Sequence, residues 1–332
     1  MNDSTVKAVL GEDGNLVVTS SSNGTTIWQS FDHPTHAILS GAKFVYNNLT
    51  KKNHKLTAWE NSEDPSEGIY SVELGLDKSV RFTWNHSLEY YTSGVWNGRY
   101  FSNFTEMQVR YGLAYSFEYK SYENGAYFTY SLSNKALPFY VFMDTSGQMK
   151  ITVWQAQTQD WIVVWTKPIL ECQVCGVCGA FSVCSENNVG LSICQCLSGF
   201  EQHYPKDWGL LDYSGGCLRR NSLQCGDKDS FSKMLNIILS RISPSANALA
   251  IDSARKCELA CLQNCSCSAY AYFTNGNSSG NSIQCSLWYG DLLNIVQLGD
   301  KGNDLYIRLA PSQDQLGSTE KESLCLAISI AD

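Results

Sequence analysis

The sequence predicts a mainly β protein in two differently built halves: an aromatic β region followed by small disulfide-stapled modules. Three observations lead there. Short runs rich in β-branched and aromatic residues, parted by turn dipeptides, fill residues 13–166. None of the 14 cysteines precedes Cys172, thirteen lie from Cys172 to Cys285, and Cys325 stands near the end. One short helical pattern occurs, and it sits late, between strand-like runs.

In the first half, Asn15-Leu16-Val17-Val18-Thr19, Thr26-Ile27-Trp28, Val80-Arg81-Phe82-Thr83-Trp84 and Ile151-Thr152-Val153-Trp154 read as strands. Asp13-Gly14, Asn23-Gly24, Asn97-Gly98, Asn124-Gly125 and Ser146-Gly147 are dipeptides that tolerate the positive φ of tight turns. Tyr115, Phe117 and Tyr119 alternate with Ser116, Glu118 and Lys120, and Phe128 and Tyr130 resume the pattern after the turn, which predicts a hairpin with one buried face. The tryptophans of such a sandwich or barrel are expected to pack rather than to form sites.

Residues 172–225 hold eight cysteines and no strong periodicity, as expected of a module stapled in place of a core. Asp252 or Ser253 can cap a helix over Ala254–Gln263, where Cys257 and Cys261 share a face. Cys267, Ala269, Ala271 and Phe273 then alternate with Ser268, Tyr270 and Tyr272 as a strand. Cys285–Trp288 and Asp304–Leu309 follow as further strands, and the polar tail begins after Pro311.

Composition narrows the function. A net charge of -8 without any Lys/Arg cluster excludes a nucleic-acid surface. The most apolar terminal stretch, Leu324–Ala331, is far short of a membrane span. The N-terminus, beginning Met1-Asn2-Asp3, has no secretory signal pattern. Sequons nevertheless begin at Asn2, Asn23, Asn48, Asn85, Asn103, Asn264 and Asn277, and with the cysteines they point to an extracellular or cell-surface protein. Asn264, next to a cysteine, is expected to be poorly accessible. A fragment or mis-started product of a longer secreted or membrane protein reconciles these signs.

Three strings identify a family. Trp28-Gln29-Ser30-Phe31-Asp32-His33-Pro34-Thr35, Asp64-Pro65-Ser66-x-Gly68-x-Tyr70-Ser71 and Ser93-Gly94-Val95-Trp96-Asn97-Gly98 resemble, in order, the ectodomain of plant S-domain (G-type lectin) receptor-like kinases and S-locus glycoproteins. Cys178-Gly179-x-Phe181, Cys194-x-Cys196-Leu197-x-Gly199-Phe200 and Gly216-Cys217 resemble its EGF-like module. Cys257-x3-Cys261-x2-Asn264-Cys265-Ser266-Cys267-x-Ala269-Tyr270 and Asp304-Leu305-Tyr306-x-Arg308-Leu309 resemble its PAN/apple module. The resemblance implies a partial bulb-type lectin β domain over residues 1–45, an S-locus glycoprotein β domain over 46–171, an EGF-like module over 172–224, a small α+β PAN/apple domain over 225–310 and a tail from 311.

The family's sugar motif, Gln-x-Asp-x-Asn-x-Val-x-Tyr, is met only by Asp13, Asn15 and Val17, with Gly11 and Thr19 replacing Gln and Tyr. That removes two polar groups a sugar would use, and a simple strand-entry turn is the competing reading. The family pattern implies disulfides Cys172–Cys184, Cys178–Cys194, Cys196–Cys217, Cys257–Cys285, Cys261–Cys267 and Cys225–Cys265. Cys175, where the family has Tyr, and Cys325 are left over, for a bond to each other, an intermolecular bridge or free thiols, with free or dimer-forming favoured.

Catalysis and metals fare poorly. Cys172-x2-Cys175-x2-Cys178 has the look of a thiolate cluster, yet the five histidines are scattered and disulfides account better for the cysteines. Pro168-Ile169-Leu170-Glu171 lacks the acidic pattern of a calcium-binding EGF module. No glycine-rich loop, His-Arg-Asp or Asp-Phe-Gly run is present, so the kinase of receptor-type relatives is not in this chain. Gly276-Asn277-Ser278-Ser279-Gly280 lacks the following helix of a nucleophile elbow, and Glu63-Asp64 reads as a solvated loop. The expectation is a recognition module without enzyme activity, metal or cofactor. The resemblance implies a role in pollen self/non-self recognition or defence signalling, with a peptide or glycan ligand and a homodimer or co-receptor as partner. The alternatives are a soluble mannose-type lectin and a non-functional receptor fragment.

Overall fold

The computed structural model describes residues 5–50, 53–108, 115–132, 138–186, 192–226, 228–239, 247–249, 251, 253–277, 280–297 and 302–311. The chain divides into two compact units, Met1–Cys175 and Gly176–Asp332.

All the strands of the first unit that are described pair antiparallel. Val6–Leu10, Leu16–Ser20 and Thr26–Gln29 form a three-stranded meander. Lys55–Trp59, Glu67–Leu74, Val80–Trp84 and Leu88–Thr92 form a second, of four strands. Tyr115–Tyr122 and Gly125–Leu132 make the hairpin that their alternation predicts, with Tyr122 opposite Gly125. Its second strand also pairs with Lys43–Asn47. Asp160–Lys167, Met149–Gln155 and Phe139–Met143 complete a fourth sheet with Ala37–Leu39. Ala37–Leu39 and Lys43–Asn47 are thus paired with strands far downstream, and a domain boundary at residue 45 cuts the second of them. Local periodicity does not encode such distant partners.

Aromatic burial holds this unit together. Phe82 is fully buried, and Phe101 and Phe104 nearly so. Phe101 meets Trp96 edge-on at 5.1 Å and Phe128 tilted at 5.2 Å, and Phe104 meets Trp165 edge-on at 5.1 Å between ring centroids. These offset geometries favour the ring quadrupoles over flat stacking. Trp28 and Trp161 differ from the packed role expected of the tryptophans, since both remain more than a third exposed.

In the second unit Cys194–Cys196, Ser182–Cys184, Ile295–Gln297, Ser230–Leu239, Asn303–Leu309, Cys267–Asn277, Gly280–Tyr289 and Asn247–Leu249 lie side by side in one sheet. Part of the stapled region over 172–224 joins this sheet, while Phe200–Gln202 and Cys217–Arg219 pair in a small sheet of their own. Ser182–Cys184 runs parallel to Ile295–Gln297, Val183 opposite Ile295, and so extends the sheet of the region that follows. The helix is Ala254–Leu262. Of its two candidate caps, Ser253 accepts from the Lys256 amide at 3.3 Å, satisfying one of the orphan donors at a helix start. Cys257 and Cys261 are fully buried and bonded to Cys285 and Cys267 on the sheet below.

Arg308 ties this unit internally. Its side chain and that of Asp229 are both inaccessible to water. Nε donates to Asp229 Oδ2 at 3.0 Å and Nη2 lies 3.0 Å from the same oxygen as an ion pair, while Nη1 donates to the carbonyls of Cys261 at 3.0 Å and Asn264 at 2.8 Å around the C-terminal end of the helix. Asp229 also accepts from the Gln224 and Cys225 amides at 3.0 and 3.1 Å.

Two predictions follow from these pairs. Asp229→Ala leaves a buried guanidinium without its counter-charge and should lower the urea-derived stability of the second unit by about 3–5 kcal/mol, whereas replacing Arg308 and Asp229 together by apolar residues should recover only part of it, because the Gln224 and Cys225 amides and the Leu262 carbonyl still lose their partners. In the first unit, burial works to raise the Glu106 pKa, but the Lys167 hydrogen bond and charge hold it below the ordinary 4.5. Burial likewise opposes, and Lys150 and Ser146 outweigh it, at Asp144, held below 3.8. Folded values below unfolded ones contribute stability that is full above the unfolded pKa and lost as pH falls through the folded one. The melting temperature of the first unit should therefore fall as pH drops below 4.5 and go on falling beneath 3.8. A pH-independent melting temperature there would contradict it.

Candidate functional site

The turn that carries the degenerate sugar motif is built from Gly11 to Asn15. The Gly11 amide donates to the Asn15 carbonyl at 2.8 Å and the Gly14 amide to the Gly11 carbonyl at 3.0 Å. Gly14 sits at φ +84°, a left-handed value that a side chain would strain. Asp13 is exposed, and its Oδ1 accepts from the Asn15 amide at 3.0 Å.

Asn15 itself is buried. Its Nδ2 donates to Gln29 Oε1 at 3.0 Å, and its Oδ1 accepts from Ser30 Oγ at 3.1 Å and from the Phe31 amide at 3.2 Å. Both ends of the amide are thus occupied by the chain's own groups, leaving little with which to grip a sugar hydroxyl. Val17 lies mid-strand, opposite Val9 and Gln29. The structure brings Asp13 and Asn15 together through the backbone, and it adds Gln29 and Ser30, which the motif alone does not point to. Ser30 also accepts from the Leu16 amide at 2.9 Å.

Cys178 is bonded to Cys194, Cys196 to Cys217, Cys225 to Cys265, Cys257 to Cys285 and Cys261 to Cys267. Cys172 and Cys184 are each disulfide-bonded as well. In the chain-entropy model the bonds range from about 2 kcal/mol for the shortest loop to about 4 kcal/mol for the longest. The sulfurs of Cys178, Cys184 and Cys194 lie within 4.8 Å of one another. All three are in disulfides and so offer no thiolate to a metal.

Cys175 carries a thiol, 3% exposed. An intermolecular bridge, one of its expected fates, requires access that this burial denies. Around it, the Tyr70 hydroxyl donates to the Cys175 carbonyl at 2.9 Å, and burial pushes the neighbouring Tyr90 phenol well up. Cys325 lies outside the described residues.

Of the sequon asparagines, Asn23, Asn48, Asn85, Asn103 and Asn264 are exposed. Asn264 is therefore more accessible than its neighbouring cysteine suggests. Asn103 donates through Nδ2 to the Thr92 carbonyl at 3.1 Å, so its acceptor nitrogen is already engaged. Asn277 closes a hairpin opposite Gly280, which disposes of the nucleophile-elbow reading by geometry: a strand, not a helix, follows. Asn2 lies outside the described residues. Asp64 accepts from the Ser66 amide at 2.9 Å, and that bond, with the Ser66 side chain, lowers its pKa in an exposed turn. Among the described residues no helix is long and apolar enough to cross a membrane.

Three family models match the chain: D-mannose binding lectin over residues 1–60, S-locus glycoprotein domain over 91–204 and PAN-like domain over 225–295. An S-locus-specific glycoprotein of Brassica oleracea var. alboglabra is 33% identical over 317 residues, covering 93% of this chain and 70% of that protein. The chain belongs to the S-locus glycoprotein family. A G-type lectin S-receptor-like serine/threonine-protein kinase of Arabidopsis thaliana is 39% identical across 93% of the chain, and a receptor-like serine/threonine-protein kinase of the same plant is 31% identical across 91%. The chain spans 37% and 35% of those two kinases.

All the matched domains are of the ectodomain type, and they mark this family member as an extracellular recognition module. The S-locus glycoprotein match runs through residue 204, past the limit at 171 expected for that domain, and the lectin match runs past 45.

Burial generates a test for Cys175. Iodoacetamide should leave Cys175 unmodified in the native protein and label it once the first unit is unfolded in urea, as read by peptide mass mapping. Rapid labelling of the native thiol would contradict its burial.

Proposed function

We propose that this chain is the ligand-recognition module of an S-domain receptor-like protein. It serves pollen self/non-self recognition or defence signalling, binds a peptide or a glycan, works with a second copy or a co-receptor, and has no catalytic activity of its own. The observation that carries this reading is the set of three matched domain types in one order along a chain whose relatives are named S-receptor-like kinases and S-locus-specific glycoproteins. A stapled or tightly packed β scaffold suits the role, because loops held by rigid elements pay less ordering entropy on binding.

Between the two ligand classes, the Asn15 geometry favours a peptide. A lectin of this type needs free polar groups at the motif, and Asn15 spends its amide on Gln29, Ser30 and Phe31. The soluble-lectin alternative therefore rests on Asp13 alone among the polar motif residues.

Chromatography of the secreted chain on immobilised mannose separates the two. The expected result is no sugar-displaceable retention, with Asn15→Ala lowering stability by about 1–3 kcal/mol through loss of its buried hydrogen bonds. Retention that mannose displaces, and that Asn15→Ala removes without lowering the melting temperature, would establish the lectin reading instead.

A further inference from the structure

The fourth sheet of the first unit has one face turned away from the core, and strand register fixes which side chains it carries. Tyr140 stands opposite Leu39 and Thr152, Phe142 opposite Ala37 and Lys150, and Trp154 opposite Trp161. Side chains alternate along a strand, so these share one face, while Ile38, Phe139 and Met143 are buried on the other. The rings touch in series. Trp154 meets Trp161 at 5.5 Å, Trp161 meets Tyr140 at 5.0 Å and Tyr140 meets Phe142 at 5.4 Å between centroids. His36 extends the row, 6.4 Å from Phe142 and 4.7 Å from Trp59. Thr152, on the strand between Tyr140 and Trp161, is only 4% exposed, so the two rings close over the middle of the sheet. Their outer sides still meet water: Trp161 is 40% exposed and the other five rings are half-buried. A strip of this size left open to solvent marks an interaction surface rather than packing.

Its composition selects the ligand. All of the rings except Phe142 carry a nitrogen or a hydroxyl at the edge as well as an apolar face. A pyranose is built to match, with C–H groups that the negative π face attracts and hydroxyls around its rim. Burial pushes the His36 pKa down, which keeps that ring neutral. Lys150, on the same face, is matched by Asp144 at 2.5 Å. The strip therefore offers no net charge, and the chain's charge of -8 works against an acidic polysaccharide. The three strands Phe139–Met143, Met149–Gln155 and Asp160–Lys167 carry no sequon, since none begins between Asn103 and Asn264.

We infer that this strip binds a neutral β-linked hexose polymer, laid across the sheet with successive sugars on Trp154, Trp161 and Tyr140. A row of rings fits an extended chain, which β-1,4 linkage gives and α-1,4 linkage coils. The site is separate from the turn at Asp13 and Asn15 and goes beyond the peptide reading above, so either can fail without the other.

The test is a calorimetric titration of the full chain with cellohexaose, the β-1,4-linked glucose hexamer. One saturable site is expected, at least about tenfold tighter than for cellobiose, because the longer chain covers several rings. Maltohexaose, the α-1,4-linked isomer, should bind at least about tenfold more weakly than cellohexaose. Trp161→Ala should weaken cellohexaose binding at least about tenfold while the chain still unfolds cooperatively, and Trp161→Tyr should restore most of it. Trp28→Ala, at an exposed tryptophan on another sheet, should leave binding intact, and free mannose should not displace the hexamer. Absence of saturable binding, equal affinity for cellobiose or maltohexaose, indifference to Trp161→Ala, or displacement by mannose would each overturn the proposal.

Discussion

The C-terminal unit depends on a charge pair that water never reaches. Arg308 and Asp229 are both fully inaccessible, and removing two such charges from water costs more than their mutual attraction returns unless every remaining donor finds an acceptor. Here the donors do. The guanidinium spans a carboxylate on one side and the carbonyls of Cys261, Leu262 and Asn264 on the other, at the helix end, where carbonyl oxygens have lone pairs left to accept. The carboxylate in turn receives the amides of Gln224 and Cys225. One ion pair therefore fixes three things at once: the strand Asn303–Leu309, the end of the helix, and the segment from Gln224 to Asp229 at the start of the PAN-like region. The disulfides limit how far the unfolded chain can spread, whereas this pair selects a single arrangement among those they permit.

The first unit reaches order by other means. It has no disulfide bond before Cys172 and relies on aromatic rings meeting at their edges, with polar pairs at the margins such as Lys150 with Asp144. Arg219 shows the contrast. In the second unit it lies over Phe181 at 5.2 Å and Phe200 at 4.7 Å, so a cation covers a small aromatic pair where the first unit would have used more rings. Burial pushes the Arg219 pKa down and the neighbouring Arg308 adds to that.

What could be read from the sequence follows the range of each interaction. The hairpin from Tyr115 to Leu132 is legible because alternation and turn lie within a few residues of each other. The helix is legible because Ser253 and the spacing of Cys257 and Cys261 are local signals. The pairing of Ala37–Leu39 with Phe139–Met143 and of Val183 with Ile295 is not, since nothing in either segment names its partner. Charge misleads in a similar way. Arg308 and Asp229 look like ordinary surface residues of a strand and a loop, and only the fold makes them a core. Glu106 is hidden for the same reason, being one carboxylate among many until Lys167 closes on it.

Asn15 shows how a binding motif can outlast the binding that its shape suggests. Its spacing from Asp13 and Val17 fits a sugar motif, but the same spacing fits a turn that must feed a strand and hold the chain returning at Ser30 and Phe31. The second role is indifferent to whether Gln and Tyr stand at the motif's ends, where this chain has Gly11 and Thr19. It still requires a side chain with both a donor and an acceptor at residue 15, because Gln29 offers an oxygen while Ser30 and Phe31 offer hydrogens. Aspartate has no donor there when ionised, and serine is too short to reach across the turn on both sides. The folding constraint alone accounts for asparagine at this position, so its presence is no argument for a carbohydrate ligand.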